Sequence, residues 1–154
     1  MKDLMVASDL QWELVREIAS ILPDFSVFRQ LLPVLKNDDD DPDQFFPYVI
    51  VRLSDGVTND DLDLWTVTVD ILVGVYDEDL NNTGHDRVMI ALERITTRFC
   101  QEATLGEPRY KAYRCMPEIV WALQDTDTYP YYFGSIQLKF QMPKAGRRIP
   151  DGCI

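Results

Sequence analysis

The stretch Leu64-Trp65-Thr66-Val67-Thr68-Val69-Asp70-Ile71-Leu72-Val73-Gly74-Val75-Tyr76-Asp77-Glu78-Asp79 decides the fold. Every odd position from Trp65 to Val75 is large and apolar. The even positions hold Thr66, Thr68, Asp70, Gly74 and Tyr76, with Leu72 the one aliphatic exception. Alternation with a period of two, rich in β-branched residues, predicts a long strand with one face on a core. The strand runs into three consecutive acids, Asp77, Glu78 and Asp79. These are open to three readings: metal ligands, an interaction surface, or a solvated loop.

Strands of the same kind lie on either side. Pro47-Tyr48-Val49-Ile50-Val51-Arg52-Leu53 predicts a short strand, closed by the turn residues Ser54-Asp55-Gly56 and a polar connection through Asn59-Asp60-Asp61. The simplest topology pairs it with the long strand as a wide hairpin. Further on, Tyr132, Gly134, Ile136, Leu138, Phe140 and Met142 line one face of another half-buried strand, opposite Ser135, Gln137, Lys139 and Gln141. Between them, Tyr110 to Cys115 and the alternating Ile119, Trp121 and Leu123 predict two shorter strands.

Two helices frame this pattern. Leu10, Leu14 and Ile18 recur every four residues, Ser8 and Gln11 have capping-box spacing, and Pro23 ends the ladder. A second apolar segment, Phe25 to Leu35, is assigned to a further short helix, which gives N-terminal helices over 8–36. Val88, Leu92, Ile95 and Phe99 form a single stripe of a helix that starts near His85, with Thr83 as N-cap and Asp86 in the first turn. That stripe needs a sheet, and the odd face of the 65–75 strand is its expected seat. The order predicts one α+β domain over 1–142, a largely antiparallel or mixed sheet of about four to five strands with helices packed on one face. A basic tail, 143–154, carries Lys144, Arg147 and Arg148.

Composition narrows the function. The 154 residues are 46% hydrophobic and 11% aromatic, enough for a sizeable core, and the net charge is −11. Binding nucleic acid by neutralising phosphates is therefore not expected. Cys100, Cys115 and Cys153 make neither a disulfide framework nor a zinc motif and suit a reducing compartment. No apolar run reaches the roughly 18 residues of a membrane span, so no membrane contact is expected.

Catalytic signals are scarce. His85 is the only histidine, phosphate-cradling glycine loops and HExxH are absent, and no cofactor is expected. A metal-dependent hydrolase built on Asp70, Asp77, Glu78 and Asp79 would need converging carboxylates, whereas successive residues at a strand end splay apart. The run Asp38-Asp39-Asp40-Asp41 lacks the alternating ligands, glycine and closing glutamate of an EF-hand and reads as an exposed loop over 37–44. Charge is the clearest signal: between Asn37 and Asp79 stand thirteen acids against the single base Arg52. That excess of twelve slightly exceeds the whole net charge of −11, while the C-terminus is basic. Two readings beyond solubility follow. One is a DNA mimic or acidic inhibitor. The other is a subunit with an acidic and a basic face, suited to heterologous contacts.

Phe46-Pro47-Tyr48-Val49-Ile50-Val51-Arg52-Leu53, Thr66 through Asp77, the helix Asp86-Arg87-Val88 to Leu92-Glu93-Arg94-Ile95, and Tyr129-Pro130-Tyr131-Tyr132-Phe133-Gly134 running into Leu138-Lys139-Phe140-Gln141-Met142-Pro143 together resemble the tail terminator, or tail-completion, proteins of long-tailed bacteriophages and prophages. The resemblance is one of order and texture over roughly Phe46 to Pro143. It implies an α+β subunit without catalysis or cofactor that forms a ring, usually a hexamer, on the head-proximal end of the tail tube. Such a ring stops tube growth and docks to the head connector. The implied partners are further copies of the chain, the tail tube protein and connector or neck proteins. The implied location is the virion tail or neck, after assembly in the bacterial host cytoplasm. Another neck component remains an alternative. Within this reading, Asp38, Asp39, Asp40, Asp41, Asp77, Glu78, Asp79, Lys144, Arg147 and Arg148 are the expected assembly contacts.

Overall fold

Alternating β-branched residues dominate the molecule. The computed structural model describes residues 7–59, 62–106 and 113–143. Its centre is the ladder β2 (Tyr48–Asn59), β3 (Leu62–Tyr76) and β7 (Tyr131–Pro143), all antiparallel. Val51, Ile71 and Ile136 stand side by side across the three strands, each fully buried. The odd face of β3 and the even face of β7 form one apolar surface. Helix α2 (Thr83–Gln101) covers it, α1 (Ala7–Ile21) packs beside it on the β2 side of the sheet, and their stripes Leu10, Leu14, Ile18 and Val88, Leu92, Ile95, Phe99 join one continuous core. The helix predicted near His85 therefore lies on the strand face expected for it, and the α+β class is as predicted.

The sheet is larger than expected. Among the described residues, seven strands run in the order β1-β2-β3-β7-β5-β4, with β6 also on β7. The additions are short, β1 (Ser26–Arg29) and β4 (Thr104–Leu105), while the two shorter strands predicted are β5 (Tyr113–Cys115), with 110–112 outside the described residues, and β6 (Val120–Leu123). Strands of two to four residues carry too few alternations to register as a period. The sheet is mixed, because β1 is parallel to β2.

That strand corrects the N-terminal reading. The segment after Pro23 is no second helix: Ser26–Arg29 pairs with Tyr48–Val51, and the chain from Gln30 to Asp41 is irregular. Val27 and Phe28 favour a pleated edge, and the free side of β2 offers the backbone partners. Gln30 then closes the edge from a left-handed conformation (φ 64°). Its backbone N–H donates to the Val51 carbonyl at 2.9 Å, and its side-chain Oε1 accepts from the Leu53 N–H at 2.6 Å. The same Oε1 accepts from Gln11 Nε2 at 2.7 Å, and Gln11 Nε2 also donates to the Val51 carbonyl at 2.8 Å. Gln11 is 3% exposed. It belongs to no capping box; it ties α1 to the sheet edge.

The expected pairing of β2 with β3 is present, but the hairpin is narrower than expected. β2 continues to Asn59 through a register shift between Leu53 and Asp55. The shift reverses parity, so the core-side residues pass from Val49, Val51 and Leu53 to Gly56 and Thr58. A reading based on one period stops at such a bulge. Thr83 is not the cap of α2 either: Asn82, left-handed at φ 61°, holds that place without a side-chain capping bond.

The two cysteines among the described residues differ sharply. Cys100 is exposed; Cys115 is buried, and burial pushes its thiol up to about 11. Timed maleimide labelling near neutral pH, read by peptide mass, is expected to modify Cys100 and spare Cys115 until the chain unfolds.

Candidate functional site

The sheet has a second face, formed by the even residues of β3, the odd residues of β7 and the even residues of β2 before the bulge, and among the described residues neither α1 nor α2 packs on it. One end of this face is aromatic. The parallel pairing of β1 with β2 forces the chain to return between them, and the returning segment supplies Phe45 and Phe46. Phe28 meets Phe45 edge-on at 5.7 Å between centroids. Phe46 stacks obliquely on Tyr48, Tyr76, Tyr131 and Phe133 at 4.8–6.4 Å, and Tyr76 packs on Tyr131 at 5.4 Å.

The acidic run lies on this return. It is not featureless. Asp40 Oδ2 accepts from the N–H groups of Lys36 and Asn37, and Asp41 Oδ1 accepts from the Asp43 N–H at 2.9 Å. Asp41 thereby caps a short 3-10 turn, Pro42–Phe45, with Pro42 in its first turn. Asp38 and Asp39 are exposed.

Glu78 arrives from the other direction. Its carboxylate accepts from the Tyr76 hydroxyl, while Asp43 Oδ1 accepts from the Tyr131 hydroxyl at 2.8 Å. Adjacent carboxylates disfavour a second negative charge, so Tyr76 is pushed up to about 12, chiefly by the bond to Glu78, and Tyr131 is raised chiefly by the bond to Asp43. Asp41 adds to the shift of Tyr131. The fold thus brings Asp41 and Asp43 to the same aromatic corner as Glu78.

Asp77 and Asp79 face away from that corner. Asp77 Oδ2 accepts from the Thr83 hydroxyl at 2.5 Å and its Oδ1 from the Asp79 N–H at 2.9 Å. Those bonds, with Arg87 nearby, hold its carboxyl below the ordinary value. Asp79 in turn accepts from the Asn81 N–H at 2.8 Å. Both shape the turn into α2, beside Tyr132. Among the described residues, no three His, Cys, Asp or Glu side chains are grouped to hold a metal. His85 is exposed and lines a cleft of about 460 Å³ with Asp125, Asp127, Tyr129 and Tyr132.

Of the expected contact residues, then, Asp41 and Glu78 share a corner, Asp77 and Asp79 support a turn, and Asp38 to Asp40 line the return. Lys144, Arg147 and Arg148 lie outside the described residues. Asp43 was not singled out from sequence. The Asp41-Pro42-Asp43 order, a capping residue followed by proline, was the available signal of a fixed turn. Five tyrosines, 48, 76, 113, 131 and 132, are raised above the ordinary value. A hydroxyl raised on folding adds stability below about pH 10 and loses it as pH rises through the folded value. Alkaline titration of the tyrosinate band is expected to lag behind that of the denatured chain, with unfolding following ionisation.

The sequence matches no protein-family model, and no curated protein matches it. Among the described residues no helix is long and apolar enough to cross a membrane.

Proposed function

We propose that the chain is a structural virion subunit without catalytic activity or cofactor, a tail terminator of a long-tailed phage or prophage. Copies of it close into a ring, a hexamer in the favoured form, that caps the tail tube and joins it to the head connector. Its place is the tail or neck of the virion, after assembly in the host cytoplasm.

The observation that carries this reading is the lopsided sheet. One face is sealed by two helices, while the other presents half-buried aromatics rimmed by carboxylates at one end only. A subunit with such a polar, one-ended surface suits heterologous contact with copies of itself. The sequence resemblance supports the same reading. A DNA mimic is less favoured, because Asp40, Asp41, Asp77 and Asp79 each give one carboxylate oxygen to a backbone N–H of a local turn, which sets their spacing by the turns.

Light scattering over a concentration and salt series tests the proposal. The expected result is a closed oligomer, six times the 17.8 kDa subunit in the favoured form. A strict monomer that also leaves the length of growing tail tubes unchanged overturns it.

A further inference from the structure

We propose that the aromatic corner of the uncovered sheet face is the docking site for the basic segment Lys144–Arg148 of a second copy of this chain. This deepens the ring reading and rests on it. Three observations carry the inference.

The first is unspent charge. Asp43 and Glu78 each give one carboxylate oxygen to a tyrosine hydroxyl. The ion pairs among the described residues are Arg16–Glu13 and Arg98–Glu17, and neither touches the corner. Among the described residues, Asp41, Asp43 and Glu78 therefore meet no cation of their own chain there.

The second is the surface beneath them. Phe46, Tyr76, Tyr131 and Phe133 are half-buried and present ring surface. A flat guanidinium is the side chain that uses both features at once, stacking on a ring while donating to a carboxylate. The segment after β7 offers two such groups, Arg147 and Arg148, next to Lys144.

The third is reach, which decides whose segment docks. Tyr131, at the corner, opens β7, and Pro143 closes it opposite Leu64. Twelve strand steps separate the two ends by about 40 Å. Five residues of fully extended chain carry Arg148 at most about 18 Å beyond Pro143. A chain that leaves the far end of the strand cannot bring Arg147 or Arg148 back to its own corner. Another copy's corner is within reach, and the contact so made is head-to-tail.

A charge swap tests this on the full-length chain. One variant carries Arg147→Glu and Arg148→Glu, and another carries Asp43→Lys and Glu78→Lys. Each alone sets like charges against each other and is expected to weaken self-association at least about tenfold in sedimentation equilibrium. Mixed one to one, each tail again meets an opposite corner, and association returns. A misfolded variant could not be rescued in this way. Equal association of the wild type and both single variants overturns the docking site and leaves the ring reading standing. Wild-type chains that grow open-ended, with the swap pattern intact, keep the docking site and remove the ring. A mixture no more associated than its two components overturns the docking site.

Discussion

Phe140→Ala is expected to cost about 3–5 kcal/mol, the largest loss available from one side chain in this fold. Phe140 is fully buried on β7, opposite Val67 and Cys115, and meets Phe99 of α2 edge-on at 5.5 Å. It thus joins the long ladder, the short edge strand and the second helix. Removing the ring loses its transfer free energy and leaves a cavity that a β-sheet backbone closes poorly. Against a total stability of about 5–15 kcal/mol, that loss brings the chain near its unfolding threshold. Urea unfolding would show a lower midpoint with the slope nearly unchanged. Phe140→Leu, which refills most of the space, is expected to lose clearly less. Equal losses for the two variants would show that the ring is not packed as described.

The second large effect is an added side chain, Gly134→Val. Gly134 lies in β7 under α2: a Cβ there would sit 2.7 Å from Val88 Cγ1 and 3.1 Å from Leu92 Cδ1. Strand preference alone favours valine over glycine, by at most about 1 kcal/mol. Overpacking costs about 1–3 kcal/mol even for one or two extra carbons. Valine adds three, and two of them branch toward the helix, so the clash wins. The variant is expected to be destabilised by about 2 kcal/mol, and pairing it with Val88→Ala should return part of that. A double variant showing simple additivity would mean that the helix does not rest on Gly134.

Much of this architecture was legible because it is periodic. The odd face of 65–75, the even face of 132–142 and the 88–99 stripe each repeat often enough to be read, and each is buried as expected apart from the half-buried Trp65 and Tyr132. What escaped has a physical reason in each case. Ser26–Arg29 is too short to show alternation and gains its state from the free edge of β2. Residues 54–59 change face at a bulge, so a polar turn and a strand look alike. Gln11 looked like a cap, but its partners, Gln30 and Val51, are far along the chain. At the candidate site, charge alone marked the acidic runs. It could not sort Glu78 from Asp77 and Asp79, because that division depends on which hydroxyl, Tyr76 or Thr83, lies on each side of the sheet.

The acidic segment is also the bridge that lets β1 and β2 run in the same direction, and such a bridge needs about a dozen residues or more. Its charge and its length are therefore independent properties. Asp38 and Asp39, exposed and outside every side-chain hydrogen bond among the described residues, are free to become asparagine or serine with little change in the fold. Deleting them shortens the path that sets Phe45 and Phe46 on the sheet. Over evolutionary time positions 38 and 39 should drift in composition while the segment holds its length, the reverse of what an ordinary surface loop does.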